Sequence, residues 1–407
     1  MLRIPSMDDL LTPPPGPDDS AEAHAEAAKK IEDRNALDAI SVRAAADLFL
    51  SRAYPPADRP RAVFPWPGGD TAERAAQARP LANGVLLPDA GGYRPTGWGR
   101  LHRGIGPMHA DEMTVLVAPT KAGKTGWALS SAESSARAGA PVLYLSAELG
   151  PHELVARLLA MRASGSDNDG GIPWSAVLHG RAPEDDARTA CDALCDACPD
   201  LFLWAPRMAQ RGSAEIANMV RRVVHTTGRA PLVVIDYLQR LAPGATLREE
   251  VRALSGTLRD LSRPGSEGDA WPGCSTLILS STARGNYATL GSVGALNVAR
   301  SAGEPLEGLG KESGEIETDA SRIFVLATDG DVDGDGGRDA LVVLAVSRTG
   351  GEGAYPFRFY GACGRWVEPK DRDAQRIREK KPPKQANTES KRRGKGRPSD
   401  YPPGHGA

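Results

Sequence analysis

One short segment constrains the fold more than any other part of the chain. An apolar run, MTVLVA at 113–118, leads through APTKAGKT at 118–125 into an Ala- and Ser-rich stretch that continues to residue 138. The run predicts a buried strand and the stretch predicts a helix, so the residues between them form a strand-to-helix turn. The spacing of residues in APTKAGKT is that of a Walker A loop, with alanine in place of its first glycine. The segment predicts a phosphate-binding site. The alternative is a turn rich in small residues that matches the Walker A pattern by chance.

The residues of this loop are expected to share the binding of a nucleotide. Inward-facing backbone N–H groups at a helix N-terminus would surround the β-phosphate, and Lys124 would reach the β- and γ-phosphates. The hydroxyl of Thr125 would bind Mg²⁺, so ATP and Mg²⁺ are the expected cofactors. The predicted nucleotide-binding residues are Ala118, Pro119, Thr120, Lys121, Ala122, Gly123, Lys124, Thr125 and Gly126.

Two carboxylates follow other apolar runs of the chain. Asp236 ends LVVID and is the predicted Mg²⁺ carboxylate, although an Asp after a buried strand can also be a helix cap. Glu148 ends VLYLSAE, the next strand-like run after the Walker A helix. It is placed to polarise the attacking water, and the alternative is a surface glutamate at a strand end.

The rest of the chain between residues 95 and 368 alternates short apolar runs with helical stretches. Several runs are apolar throughout, as expected of strands buried on both faces, so an α/β fold with a predominantly parallel β-sheet flanked by helices is predicted. The seven predicted strands lie at 113–118, 141–148, 201–205, 231–236, 275–281, 321–328 and 340–347. The helical stretches include 124–138, 152–163, 183–198 and 213–226.

Composition divides the chain into five predicted segments. Residues 1–19 are Pro-rich and predicted to be disordered, 20–54 form a helical N-terminal arm, and 55–94 form a Pro/Gly-rich linker. The ATPase domain is expected at 95–368. The remainder, 369–407, is predicted to be a disordered basic C-terminal tail, because it has twelve Lys and Arg against five Asp and Glu and few apolar residues.

Charge and hydropathy limit the environment in which the chain can work. The formal net charge is −2, so no global charge attracts the molecule to nucleic acid or anionic lipid, and such binding must be local. The sequence contains no apolar run of 18 residues, and its first residues carry charges where a signal peptide needs an apolar run. We therefore expect a cytoplasmic protein that makes no membrane contact.

Three of the five cysteines are crowded at Cys191, Cys195 and Cys198. The spacing resembles that of an iron–sulfur triplet, but it also marks the buried face of one helix, which is the interpretation favoured here. An odd number of cysteines in a long chain argues against a disulfide framework, and reduced thiols are expected.

Five motifs, in order, resemble those of the RecA-like ATPase domain of DnaB-type replicative helicases. The resemblance spans roughly residues 95–367. The motifs are PTGW (95–98), APTKAGKT (118–125), LSAELGPHELVARLLA (145–160), VVIDYLQRL (233–241) and KESGEIETDAS (311–321). The last of them is the most specific to that family.

The resemblance implies roles for particular residues. Glu148 would be the water-activating base, Asp236 the Mg²⁺ carboxylate, and Arg348 an arginine finger that reaches the neighbouring subunit's nucleotide; a charge at a hairpin edge is the alternative for Arg348. A ring, expected to be a hexamer, would hold single-stranded DNA by a mobile Gly-rich loop at 285–310, and a surface insertion is the other interpretation. The arm at 20–54 would pack on an adjacent subunit or stand solvated.

The same family pattern is broken at two positions, which keeps more than one function open. Ser281 stands where the family has a glutamine that senses the γ-phosphate, and Val346 stands where it has a lysine. The family's globular N-terminal domain, to which primase docks, has no counterpart in residues 1–94. The predicted function is an ATP-dependent DNA helicase or translocase with a possible primase or loader partner. The alternatives are a non-translocating ATPase that assists initiation or helicase loading and, less favoured, a recombination-type filament protein.

Overall fold

The computed structural model describes residues 39–53, 96–163, 171–207, 211–241, 247–265, 271–310, 314–348 and 353–382. Within them, ten strands form one sheet in the order β1-β4-β3-β5-β6-β2-β7-β8-β9-β10. The strands are β1 (Ala39–Ser41), β2 (Met113–Ala118), β3 (Val142–Ser146), β4 (Leu201–Trp204), β5 (Leu232–Asp236), β6 (Ser275–Ser281), β7 (Arg322–Thr328), β8 (Arg338–Ser347), β9 (Gly353–Tyr360) and β10 (Arg365–Val367).

Helices cover both faces of this sheet. They are α1 (Val42–Ala53), α2 (Gly99–Ile105), α3 (Lys124–Arg137), α4 (Pro151–Ala163), α5 (Trp174–Leu178), α6 (Glu184–Ala197), α7 (Ser213–Thr227), α8 (Leu247–Ser262), α9 (Tyr287–Leu290), α10 (Val293–Ser301), α11 (Gly314–Asp319) and α12 (Asp371–Arg378). None of the helices in the described ranges combines the length and apolar content needed to cross a bilayer.

The centre of the sheet is parallel, and burial on both faces explains its apolar sequences. The six strands β4, β3, β5, β6, β2 and β7 run parallel to one another. Within β2, Leu116 and Ala118 face the core under α1, α3, α4 and α6, whereas Val115 and Val117 face the core under α7, α8, α10 and α12. The predicted α/β fold with a predominantly parallel sheet is confirmed.

Three strands were not predicted from the sequence, and all three are antiparallel. The strand β9 pairs with β8 and with β10, while β1 is the edge strand next to β4. Pro356 lies inside β9 and interrupts its sequence pattern, because proline has no N–H to donate to a ladder. The three-residue strands β1 and β10 are too short for periodicity to reveal them.

The described part of the N-terminal arm packs on its own chain. The helix α1 contacts α4 and α6, and its buried side chains Val42, Ala46 and Phe49 belong to the same core as the Walker A helix. The arm is therefore neither a solvated helix nor free of the domain over residues 39–53. The predicted arm residues 20–38 and 54, and the predicted linker 55–94, lie outside the described residues.

The predicted disordered tail begins too early, because α12 falls inside it. Ile377 is fully buried on the sheet, and the side-chain amide of Asn297 donates to the carbonyl oxygens of Ile377 and Lys380 at 2.9 and 3.1 Å. Asp339 of β8 binds Arg376 at 2.6 Å and Lys380 at 2.5 Å. Two buried apolar residues, Ala374 and Ile377, and these polar anchors order a segment whose composition alone predicts disorder. Residues 383–407 lie outside the described range.

The Gly-rich stretch at 285–310 also differs from the mobile loop predicted for it. It contains α9 and α10, and Val293 and Leu296 of α10 are fully buried against the sheet. Ser292 caps α10 by accepting a hydrogen bond from the N–H of Ala295 at 3.1 Å. The small residues of this stretch serve close packing, because a Cβ on Gly294 would lie 2.3 Å from the backbone of Lys381.

Candidate nucleotide-binding site

The predicted site residues of one protomer follow neighbouring parallel strands and meet at the carboxyl ends of those strands. In the parallel register Ser146 lies beside Asp236, and Ala118 lies beside Ser281. The Walker A loop follows β2, Glu148 follows β3 by two residues, and Asp236 ends β5. Because parallel strands end at the same edge, the loop and both acids share the carboxyl side of the sheet, where ligands of such folds bind.

The Walker A loop has the backbone of a phosphate-binding turn. Lys121 and Gly123 have φ values of 67° and 90°, and Gly123 is the N-cap of α3. No side chain caps α3, so the N–H groups of its first turn remain available to an anion at the positive end of the helix dipole. Ala118 is tolerated in place of glycine because it still belongs to β2 and needs no left-handed backbone.

Lys124 is folded onto the loop that precedes it. Its Nζ donates to the carbonyl oxygens of Ala118 at 2.8 Å and Pro119 at 2.9 Å. Burial lowers the pKa of Lys124 to about 8, although the negative charges of Asp236 and Glu148 oppose that shift. The ammonium group thus lies in a poorly solvated position where a phosphate would be a better partner than carbonyl oxygens.

Asp236 lies at the bottom of the site and is almost completely buried. Its Oδ2 accepts a hydrogen bond from the hydroxyl of Tyr144 at 2.9 Å, and Thr125 is a second hydrogen-bond partner. Burial raises the pKa of Asp236 above its ordinary value, and the hydrogen bonds from Thr125 and Tyr144 oppose the rise. The hydroxyl and the carboxylate predicted to hold Mg²⁺ are therefore in contact.

Glu148 is exposed at the rim of the site. Its charge interacts with those of Lys124 and Asp236, in keeping with its position just after β3 at the same end of the sheet. A carboxylate that is solvated, and not engaged by a buried partner, is suited to accept a proton from water. The structure thus brings together Lys124, Thr125, Asp236 and Glu148, the four chemically active side chains predicted for one protomer.

Sequence reasoning missed three side chains of this site. Tyr144 binds Asp236 as described above, and Arg157 of α4 interacts electrostatically with Asp236, Tyr144 and Glu148. Gln239 follows Asp236 by three residues; its Nε2 donates to Ser280 Oγ at 2.9 Å, and its Oε1 accepts from the N–H of Ser281 at 3.3 Å. Gln239 lies inside the VVIDYLQRL motif and Arg157 inside the LSAELGPHELVARLLA motif, and these two motifs were the available signals.

The Walker A loop is held by neighbouring elements on several sides. Thr328 at the end of β7 donates to the carbonyl oxygen of Ala122 at 2.9 Å, and the N–H of Thr282 donates to that of Ala118 at 3.2 Å. The hydroxyl groups of Thr120 and Tyr287 lie 3.4 Å apart. These contacts fix the loop against β6, β7 and the start of the 285–310 stretch.

Arg348 lies near the amino ends of the parallel strands, whereas the Walker A loop lies at their carboxyl ends. Ser347 pairs with Arg322 of β7, and Arg322 pairs with Thr114 near the start of β2. Arg348 is exposed, and its guanidinium donates to the carbonyl oxygen of Thr318. At about 3.3 Å per residue, roughly 15 Å of strand separates it from the end of β2. The arginine therefore does not join the site of its own protomer.

The KESGEIETDAS block takes part in holding the fold together. Glu317 accepts hydrogen bonds from the N–H groups of Gly308 and Gly310, and Asp319 accepts one from Ser255 at 2.8 Å and forms an ion pair with Arg259. Residues 311–313, at the start of the block, lie outside the described residues. The described acidic side chains of the block thus bind their own chain.

The crowded cysteines and the acidic run at 331–335 have structural explanations. All five cysteines are buried and form no disulfide, and Cys191, Cys195 and Cys198 lie on or next to α6, as the helical interpretation predicted. Near the β7–β8 turn, Arg358 binds Asp333 at 2.5 Å and Asp335 at 2.7 Å. In the described part of the chain, no group of three metal-binding side chains is found.

The geometry fits a nucleoside triphosphate with Mg²⁺. A helix N-terminus without a side-chain cap, a poorly solvated lysine, and a hydroxyl in contact with a buried carboxylate form the donor set such a ligand requires. The fold and this site together define a P-loop domain of the RecA-like class.

Comparison with protein families specifies that class. Residues 94–266 match the model of the family described as "DnaB-like helicase C terminal domain". Over this range the chain is similar to the C-terminal domain of DnaB-like helicases, the family that its motifs predicted. The matched range includes the Walker A loop, Glu148 and Asp236, and it ends before the KESGEIETDAS block and Arg348. A comparison with curated protein sequences finds no match.

Solved structures agree on the fold. One of them, whose title describes an "ATPase Domain", covers 68% of this chain and 91% of its own length, with 21% identity and a TM-score of 0.53. Another, titled "The Structure Of A DnaB-Like Replicative Helicase And Its Interactions With Primase", has 20% identity and a TM-score of 0.53. The match covers 68% of this chain and 63% of that helicase.

Proposed function

We propose that this protein hydrolyses ATP and acts as a helicase or translocase of the DnaB-like class on single-stranded DNA during replication in the cytoplasm. The observation that carries the proposal is the convergence of Lys124, Thr125, Asp236 and Glu148 at the carboxyl edge of one parallel sheet. Each of the four has the chemical type that its place in a phosphoryl-transfer site requires.

In this proposal each side chain has one task. The N–H groups of the first turn of α3 and the ammonium group of Lys124 bind the phosphate oxygens, and Thr125 and Asp236 hold Mg²⁺. The bound ion would neutralise charge on the transferred phosphoryl group. Glu148 orients the attacking water and accepts its proton, and its exposure at the rim leaves it open to that water.

The position of Arg348 favours a ring in which neighbouring subunits share sites. Because Arg348 lies at the edge opposite its own Walker A loop, it can reach a phosphate only on another protomer. A guanidinium delivered in this way stabilises charge in the transition state, so an isolated protomer would hydrolyse ATP poorly. We propose a homo-oligomeric ring, with a hexamer as the expected size.

DNA would bind near the 285–310 stretch, which lies beside the Walker A loop. Tyr287, whose hydroxyl is 3.4 Å from that of Thr120, is 39% exposed and could stack on a base. The exposed Arg300 adds a positive charge at the end of α10. A primase or a helicase loader is the protein partner this function implies.

A non-translocating ATPase that assists replication initiation or loading is the second candidate. Two observations favour it: β6 ends in Ser281, which has no amide to sense a γ-phosphate, and Val346 supplies no second cation near Arg348. In such a protein, bound ATP would switch assembly and hydrolysis would reset it.

One set of measurements separates these functions. ATP hydrolysis is measured with and without single-stranded DNA, and the same protein is tested for strand displacement on forked DNA. A motor should show stimulation by DNA and displacement, both lost in Lys124→Ala. Nucleotide binding without stimulation or displacement would favour the switch, and failure of the wild-type protein to bind nucleotide would contradict both.

A further inference from the structure

Arg211 joins the ends of three neighbouring strands at the carboxyl side of the sheet. It lies just before α7, and its side chain is partly buried. Its guanidinium donates three hydrogen bonds, all to backbone carbonyl oxygens. The acceptors are Pro206 at 3.3 Å, Arg240 at 2.9 Å and Ala147 at 3.2 Å. These residues follow β4, β5 and β3, so one side chain connects the segments that leave three adjacent strands.

The partners of Arg211 distinguish it from the buried arginines that are paired with acids. Arg322, for example, binds Glu112 at 3.0 Å. Among the residues that the structure describes, no carboxylate forms an ion pair with Arg211, and its Nε, Nη1 and Nη2 each donate to a different segment. A planar guanidinium can hold three separated acceptors in this way, because its donors point outward along different edges.

One of the three acceptors is the residue directly before Glu148. The N–H of Ala147 donates to the carbonyl oxygen of Asp236 at 2.7 Å, and its own carbonyl oxygen accepts the hydrogen bond from the guanidinium. The hydroxyl oxygen of Ser146 accepts from the N–H of Leu149 at 2.9 Å, which closes a turn around Glu148. The backbone that carries Glu148 is therefore fixed on both sides.

The side chain of Glu148 has no such anchor of its own. It is exposed and makes no hydrogen bond to another residue of the described ranges. A general base must lie within hydrogen-bond reach of the water it activates, and a displacement of about 1 Å can cost about a hundredfold in rate. The place of this carboxylate thus depends on the backbone beneath it, and Arg211 is one of the groups that hold that backbone.

We propose that Arg211 is a positioning residue for ATP hydrolysis, which sets the place of the Glu148 carboxylate by holding the carbonyl oxygen of Ala147 to the segments after β4 and β5. This inference rests on the proposed function and adds to it a residue that acts through the backbone. Arg211 lies outside all five motifs by which the sequence resembles a known family.

The first test measures kcat for ATP and the affinity for MgATP separately, with the full chain. Arg211→Met should lower kcat about tenfold and leave the affinity within about twofold, because the base is displaced while the phosphate loop is intact. Arg221→Met is the matched control, since Arg221 is an exposed arginine of α7 whose guanidinium contacts Asn218 at 3.4 Å. It should change neither quantity.

Arg211→Lys tests whether the shape of the side chain or its charge is needed. A lysine keeps the positive charge but carries all its donors on one atom, so it cannot span the three carbonyl oxygens. The variant should therefore recover little of the kcat lost in Arg211→Met. Full recovery would show that charge alone is sufficient and would contradict the proposal.

A double variant tests whether Arg211 acts through Glu148. Glu148→Gln should lower kcat strongly, and adding Arg211→Met to it should cause no further fall, because no base remains to be displaced. A general defect of the fold or of nucleotide binding would instead lower the residual rate again. A further fall of tenfold in the double variant would mean that Arg211 acts elsewhere.

Thermal unfolding of each variant shows that the protein is folded at the assay temperature, which is kept well below the lowest midpoint of the set. An unchanged kcat in Arg211→Met, or an equal loss of affinity and kcat, would overturn the inference and leave the proposed function in place. If the wild-type protein hydrolyses no ATP, or if Glu148→Gln is fully active, the proposed function itself fails.

Discussion

Lys124 shows how a binding residue can reduce the stability of the fold that carries it. Its ammonium group is desolvated at the base of the Walker A loop, and burial lowers its pKa to about 8. A folded-state pKa below that of an unfolded lysine means that the protonated form is disfavoured by folding. The folded domain therefore carries at neutral pH a charge that a phosphate would stabilise.

This gives a prediction for Lys124→Met at neutral pH. The variant should lose nucleotide binding, yet its thermal midpoint at pH 7 should be higher than that of the wild type, because a desolvated charge is removed. Between about pH 8 and 10 the folded wild-type protein sheds the proton while the unfolded chain keeps it, so wild-type stability rises and the difference shrinks. Thermal unfolding across this pH range measures the effect.

The control is the neighbouring lysine of the same loop. Lys121 is exposed, so Lys121→Met should change the thermal midpoint little at any pH. A difference between Lys124→Met and the wild type that stays constant from pH 7 to 10 would contradict this assignment of the charge.

The residues that motifs encode were found from sequence, and the residues that only tertiary packing brings to the site were not. Lys124, Thr125 and Asp236 occupy fixed places in short patterns with a chemical reason for each place. Tyr144 and Arg157 belong to a buried strand and to a helix, where the sequence does not say which side chains face the site. Their roles depend on the order of strands in the sheet, which no local pattern specifies.

At the scale of elements, Gln239 joins the ends of two strands that border the site. It follows β5 and hydrogen-bonds to Ser280 and Ser281 at the end of β6. The side chain of Ser281 is too short to span this gap, so the amide that crosses it comes from the other strand. Gln239 belongs to the VVIDYLQRL motif, so this bridge exists beside the family's γ-phosphate-sensing glutamine and does not replace it.

Gln239→Ala should therefore separate the two strand ends and lower kcat for ATP roughly tenfold while nucleotide affinity changes little. Adding Ser281→Gln to this variant should recover most of the loss, because an amide on β6 can cross the same gap in the opposite direction. Steady-state hydrolysis and nucleotide binding measure both effects. Gln375→Ala, on α12 and away from the site, serves as the control.

The C-terminal helix α12 is held by a buried carboxylate with three cationic partners. Burial alone would raise the pKa of Asp339, but hydrogen bonds from Arg376, Lys380 and Arg358 hold that pKa well below its ordinary value. The side chain of Asp339 is 1% exposed, so these partners have little access to water in its place. Asp339 therefore attaches the helix to β8, alongside the buried Ile377 and the ion pair of Lys380 with Asp329.

Asp339→Asn should leave the three cations without their carboxylate and lower the free energy of unfolding by about 3 kcal/mol. In the wild type, the stabilisation by Asp339 should be complete above the pKa of an unfolded Asp and should be lost as pH falls through the depressed folded-state value. Denaturant unfolding at pH 7 measures the first effect, and denaturant unfolding from pH 7 to below pH 3 measures the second. Asp373→Asn, at an exposed pair with Arg376, should have little effect.

The limits of sequence reasoning at this scale follow from the same interactions. Long apolar runs identified seven of the ten strands, because burial on both faces leaves a plain signal. Composition failed for α12, since two apolar residues, Ala374 and Ile377, and a set of long-range ion pairs order it. It failed again for 285–310, where glycines allow close packing and do not indicate mobility.

At the scale of the whole molecule, the two groups of predicted site residues lie at opposite ends of the parallel strands. The Walker A loop, Glu148 and Asp236 lie at the carboxyl ends of these strands, and Arg348 lies near their amino ends. In a closed ring of identical subunits joined head to tail, the Walker A side of each protomer would face the Arg348 side of its neighbour. Such an assembly would complete every site with an arginine from the next subunit.

Mixing two inactive variants tests this arrangement. Lys124→Ala and Arg348→Ala should each hydrolyse ATP at a small fraction of the wild-type rate, for different reasons. An equal mixture, dissociated and reassembled, should regain activity, because about a quarter of its interfaces would pair an intact loop with an intact arginine. Arg188→Ala, at an exposed position on α6, should remain fully active. Absence of complementation would place Arg348 outside the shared site.

The sheet ends at both sides in a strand of only three residues, β1 at one side and β10 at the other. So short a border offers an incoming chain almost no main-chain donors and acceptors with which to continue the ladder. Continuation of the sheet from one copy of this domain to another is therefore disfavoured. In the proposed ring, neighbouring subunits would meet through loops and helix surfaces, which can slide or tilt against each other as movement along a strand requires.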